Sequence, residues 1–154
     1  MYSLVVVDMQ SYFAASRFKR VRQVVLWEVH RARQHGWPIV LLEADDCGQT
    51  LGSIRLAVKD YHRAFRMTKW EEDGSDKVAM TLEGGVTRSK SVRVVGVNTD
   101  QCVYATVAGL RSLGYQVTVN ALGCNSTSHN YGLYLLSKIE GVTIVNRVAS
   151  RWAV

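Results

Sequence analysis

A chain of 154 residues, 47% hydrophobic and 21% charged, has the length of one domain and the composition of a globular one. That excludes a two-domain enzyme and the disordered, collagen-like and disulfide-framework classes. The balance of 19 Lys and Arg against 13 Asp and Glu gives a net charge of +6, which suits an acidic partner or an anionic ligand without requiring either. Asp8 cuts short the apolar run Leu4–Val7, no run approaches the roughly 18 residues of a membrane helix, and the start lacks the basic segment and long apolar core of a secretory leader. The expectation is a cytoplasmic protein with no membrane partner.

In chain order, Leu4–Val7 reads as a strand. Val21, Val25, Val29 and Ala32 repeat on one helical face and stop at Gly36, with Trp37-Pro38 as a terminator. Ile39–Leu42 is a second strand. Leu51–Phe65 reads as a helix, with Arg55, Lys59 and Arg63 along a solvated face, and a sixth strand is predicted near Phe65–Lys69. Glycines at 48, 52, 74, 84 and 85 break the pattern between. Val92–Val95 and Gln116–Val119 are strands separated by a helix carrying Val103, Val107 and Leu110. A last helix with His129, Leu133 and Leu136 precedes the strand Thr143–Val145. Continuous apolar strands of this kind are buried on both faces, so the fold class is α/β: a single doubly wound, mostly parallel sheet of order 3-2-1-4-5-6 with helices on both faces.

Such sheets bind ligands where the winding reverses, here between the first strand and the one ending at Val95. Asp8 follows the first strand; Gly96-Val97-Asn98-Thr99-Asp100-Gln101-Cys102 leads from the other into a helix. A thiol in the first helical turn meets free amides and the positive end of the dipole, which lowers its pKa and favours the thiolate. Asp8 can act as its base, and the first-turn amides can stabilise an oxyanion. Taken alone, Asp8 also reads as a turn residue and Cys102 as a small buried hydrophobe. The three cysteines, Cys47, Cys102 and Cys124, form no CxxC pair, so neither a disulfide framework nor a thiolate zinc site is indicated.

At these residues the sequence resembles the isochorismatase-like cysteine hydrolases, which include nicotinamidases and related amidases. Val5-Val6-Val7-Asp8-Met9-Gln10 with Phe13 is similar to the family's opening strand and D-x-Q-x-x-F element. Gly96 to Val103, with Thr106, is similar to its G-x-x-T-D-x-C-V-x-x-T motif. Thr68-Lys69 lies where the family carries its catalytic lysine, and Ala121 and His129 resemble a later D-A-x(n)-H segment, with Asn120 in place of the aspartate. The resemblance implies a catalytic Asp8, Lys69 and Cys102, in which Asp8 takes the thiol proton and Lys69 lowers the thiol pKa. It also implies a cis peptide before Asn98, with the Asn98 and Cys102 N–H groups facing one oxyanion, and a homo-oligomer. Nicotinamidases hold a metal through Asp-x-His and a further histidine after the second strand; Glu43-Ala44-Asp45-Asp46-Cys47-Gly48-Gln49 has no histidine, so no metal or other cofactor is expected.

Retention of Cys102 points to cleavage of an amide- or imide-type C–N bond in a small molecule through an acyl-thioester. Phe13 and Trp70 are candidate walls for a small planar substrate. A binding protein that keeps the fold without turnover is the alternative. Nucleic acid is an unfavoured partner, since only the charge suggests it and no aromatic-basic motif or glycine-rich phosphate loop accompanies it.

Overall fold

Strand β1 (Ser3–Val7) is hydrogen-bonded on both sides and buried on both faces, which is why an unbroken Leu-Val-Val-Val run serves there. On one side it pairs in parallel with β2 (Ile39–Ala44), on the other with β4 (Ser91–Val97). β3 (Ala64–Lys69), β5 (Gln116–Asn125) and β6 (Val142–Val145) complete a six-stranded, all-parallel sheet of order β3-β2-β1-β4-β5-β6 in a single α/β domain. The computed structural model describes residues 1–152.

Helices cover both faces. Val5, Val7, Val92, Val94 and Val119 pack against α3 (Ser75–Glu83), α4 (Tyr104–Ser112) and α5 (His129–Ser137). The alternate residues Leu4, Val6, Ile39, Leu41 and Val95 pack against α1 (Lys19–Gln34) and Ile54 of α2 (Gly52–Val58). No described helix is long and apolar enough to cross a membrane.

The predicted helix Leu51–Phe65 is corrected: α2 ends at Val58, Asp60 turns the chain at φ 64°, and Ala64 already pairs with Ile39. Pairing along β2 therefore overrides the local periodicity, and Arg63 leaves the supposed helix face to donate to the Val86 carbonyl at 3.1 Å. Helix α3 was hidden among polar residues and glycines. Asp73, just before its Gly74 start, accepts from the Ser75 N–H at 2.8 Å, and Val78, Ala79 and Leu82 are the apolar residues that the helix buries. β5 also runs beyond the predicted Val119, because a register shift between Val94 and Gly96 lets the Gly96 level pair with Cys124.

A buried charged cluster ties α1 to the sheet. Arg93 of β4 meets Glu28 of α1 in a two-pronged contact of 2.6 and 3.1 Å, and Asn120 donates to the same carboxylate at 2.8 Å and to the Arg147 carbonyl at 2.7 Å. An aspartate at 120 would set two carboxylates against each other; the amide links one to the chain leaving β6 instead.

Candidate active site

The C-terminal ends of β1, β3 and β4 deliver three side chains to one buried point. Asp8 leaves β1 in the left-handed region at φ 51°, its N–H bonded to the Leu42 carbonyl at 3.0 Å, and is inaccessible to solvent. Lys69, the last residue of β3, is 3% exposed and places Nζ 3.0 Å from Asp8 Oδ2 and 3.5 Å from Cys102 Sγ, while donating to the Glu71 carbonyl at 2.9 Å. Cys102 is 8% exposed. It sits in a single π-helical turn, Thr99–Val103, that follows a cis Val97–Asn98 peptide and feeds directly into α4. Gly96 is needed just before: its φ is +130°, and a Cβ there would lie 2.1 Å from the Val7 carbonyl oxygen.

Neighbouring elements hold these groups in place. Gly74 N–H donates to Thr106 Oγ1 at 3.0 Å, tying the segment after Lys69 to α4, and a Cβ at Gly74 would press into the Lys69 side chain at 2.9 Å. Thr99 Oγ1 and His129 Nδ1 are 2.8 Å apart, Ser126 bonds Asp100, and Gly132 lets α5 approach the backbone of Thr99 and Asp100. Burial lowers the His129 pKa. The sequence places His129 in the last helix and Thr106 in the cysteine motif; the contacts made by Gly74, Gly132, Thr106 and His129 follow from the packing.

The electrostatics correct one expectation. Burial, reinforced by the Asp8 charge, pushes the Cys102 thiol up to about 12, so the resting group is a thiol rather than the thiolate that a first-turn position predicts. The turn is π-helical and buried, and desolvation outweighs the lowering influence of Lys69. Burial likewise raises Asp8 against the opposing pull of Lys69. Cys124 is pushed up to about 12 by burial, and lies in β5 as a structural thiol.

The segment after β2 does not fit a metal. Glu43 accepts from Thr50 N and Oγ1 at 2.6 and 2.8 Å and pairs with Arg66 at 3.0 Å. Gln10 fastens the loop through Ala44 N–H, the Ala44 carbonyl and the Gly48 carbonyl at 2.9, 3.0 and 2.7 Å. Among the described residues no group of three or more His, Cys, Asp or Glu converges as ligands.

Phe13 and Asn98 line one cavity of about 390 Å³ with Tyr12, Phe18, Asn125 and Thr127. Trp70 does not join them. It is 69% exposed, with Lys77 Nζ 5.0 Å from its ring centre, beside a separate depression formed with Lys69, Glu71 and Asp73.

A parallel doubly wound sheet with an acid, a lysine and a cysteine meeting at its switch point defines the class of isochorismatase-like hydrolases. The isochorismatase domain model matches residues 2–147, and the chain belongs to that family. Solved structures share the fold. A nicotinamidase from Staphylococcus aureus is 22% identical over 96% of this chain and 98% of its own, with a TM-score of 0.80. A pyrazinamidase/nicotinamidase from Streptococcus mutans is 21% identical over 94% and 100%, with a TM-score of 0.81. An octameric hydrolase of unknown specificity from Escherichia coli is 15% identical over 94% and 74%, with a TM-score of 0.79. None of the curated proteins matches the chain.

Proposed function

We propose that the protein is a cysteine hydrolase that opens an amide- or imide-type C–N bond of a small molecule through an acyl-thioester. The observation that carries this reading is the placement of Lys69 Nζ within 3.0 Å of Asp8 Oδ2 and 3.5 Å of Cys102 Sγ, with all three side chains buried. The raised Asp8 and Cys102 pKa values suit a proton that stays on sulfur until substrate arrives.

In the proposed cycle Asp8 takes the thiol proton as sulfur attacks the carbonyl carbon. Lys69 stabilises both anions, and the Asn98 and Cys102 N–H groups receive the oxyanion. Collapse breaks the C–N bond; the leaving nitrogen takes the proton from Asp8 and is freed as ammonia or amine from an amide, or as a carboxamide, still tethered to the acyl group when the imide is cyclic. Water then attacks the thioester, giving a proton to Asp8, which returns it to sulfur as the C–S bond breaks and the acid leaves. The cavity beside Asn98 takes the acyl part, with Phe13 as a wall, while Trp70 lies at the outer rim over Lys69. By analogy with the octameric Escherichia coli hydrolase, the working form is a homo-oligomer, read by light scattering in solution.

The test is a screen of small primary amides and cyclic imides with intact-protein mass spectrometry. The reading expects turnover and a transient acyl adduct on Cys102, absent in Cys102→Ala. Ligand binding with no turnover and no adduct for any of them would replace it by the binding-protein alternative. Exhaustive chelation leaves turnover unchanged in the proposed mechanism, and loss restored by zinc would count against it.

A further inference from the structure

A second cavity, of about 320 Å³, adjoins the one beside Asn98 and shares Phe18 and Asn125 with it. Its other walls include Arg20, His129 and Trp152. The two spaces differ in charge. Among the described residues no charged side chain lines the cavity at Asn98, whereas the second is bordered by Arg20, an exposed residue at its mouth with no ion-pair partner among the described residues. His129 lines it as well, with Nδ1 engaged by Thr99. Phe18 and Trp152 provide aromatic surface between these polar groups.

The surroundings reinforce the sign. Arg20 lies in the first turn of α1, where Lys19 and Arg22 also stand, no acidic residue is present, and Phe18 supplies no side-chain cap. Three cations at the positive end of a sixteen-residue helix repel one another and the dipole, and an anion relieves both. Asp8 is buried against Lys69, and the exposed acids Glu71 and Asp76, with Asp73, border the separate depression over Lys69.

We infer that the substrate is an elongated planar amide with a distal anionic group, its reacting carbonyl at Asn98 and Cys102 and its far carboxylate or phosphate held by Arg20 across the Phe18–Asn125 divide. This deepens the hydrolytic reading above and rests on it. Guanidinium meets a carboxylate through two parallel N–H donors, so a charged end is recognised where an isosteric amide is not. Arg20 is then a specificity-determining residue, acting on affinity rather than on the chemical step.

Two pairs of probes of different reach test the inference: terephthalamate against terephthalamide, and para-carbamoyl-hydrocinnamate against its diamide. Each pair differs only in carrying a carboxylate or a neutral amide at the far end. Binding is measured by calorimetry on Cys102→Ser, and kcat and KM on the protein with Cys102 intact. The charged member of at least one pair is expected to bind about tenfold more tightly. Arg20→Gln should bring that ratio to near one, with any kinetic preference lost through KM. Lys59→Gln, which removes a cation from the distant end of α2, should leave the ratio as it was. Equal binding within both pairs overturns the inference, as does a preference that survives Arg20→Gln or falls equally with Lys59→Gln. If Cys102→Ser does not fold, the ratio of kcat/KM values within each pair gives the same reading. Anion preference without turnover keeps the Arg20 pocket and removes the hydrolytic reading; turnover without anion preference does the reverse.

Discussion

Two buried acid–base pairs lie on opposite sides of β1, and they are finished differently. Glu28 and Arg93 share two contacts, and Asn120 adds a third donor to the carboxylate while tying itself to Arg147. Asp8 and Lys69 share one contact of 3.0 Å, and among the described residues no donor other than Lys69 and the Cys102 thiol reaches either oxygen of Asp8. The first pair is fixed by three donors on one carboxylate. The second, kept dry and facing a thiol, leaves most of its carboxylate unbonded, and the difference separates a structural ion pair from a candidate catalytic one.

The largest expected effect breaks that comparison at the rim. Cys102→Ala should abolish hydrolysis, and Asp8→Asn and Lys69→Met should each lower kcat by several orders of magnitude, less than additively when combined, as circular dichroism shows the fold retained. Next comes the interior pair. Arg93→Met strands Glu28 without its cation and should cost about 3–5 kcal/mol in denaturant unfolding, lowering Tm by at least about 6 °C. Equal loss of stability from Asp8→Asn, which keeps the shape and can still accept from Lys69, would erase the distinction.

Alkylation sharpens it further. The Asp8 charge raises the Cys102 pKa and Lys69 lowers it, so at fixed pH Asp8→Asn should speed iodoacetamide labelling of Cys102 while Lys69→Met slows it. The acid variant would then be the most reactive toward the reagent and nearly inert toward amides. Labelling that moves the same way in both would show that their charges do not act on sulfur.

The smallest effect concerns pH. Burial holds the folded His129 pKa below the usual 6.5, so its neutral state contributes stability above that value, and the contribution is lost as pH falls below it. Unfolding free energy between neutral and mildly acidic pH should therefore slope less in His129→Gln than in the parent chain.

The sheet order was legible because the central strands advertise themselves as apolar runs, Leu4–Val7 and Ile39–Leu42 unbroken and Val92–Val95 interrupted only by Arg93. Asp8 and Cys102 were legible for a related reason, since they follow two adjacent strands at the point where winding reverses. Lys69 was not readable from pattern: nothing local distinguishes a lysine at the end of β3 from an exposed one, and its burial comes from the turn at Gly74 and from α4, which is distant in sequence. The state of the thiol was misread because dipole arguments use sequence position, whereas desolvation depends on how the π-helical turn is packed. The ion pair Glu28–Arg93 escaped notice because its members are 65 positions apart, each alone resembling a surface charge.

The central place of β1 has a consequence for how the chain is made. It precedes the other five strands of the sheet in the chain, yet one of its two partners, β4, begins only at Ser91. At 5–20 residues per second, Ser3–Val7 remains one-sided for roughly 5 to 20 s, an apolar edge with no charge to deter another nascent chain. Cys102 follows β4 directly, so the open edge of β1 closes just before Asp8, Lys69 and Cys102 can meet, while β5 and β6 are still to be added at the sheet's far side.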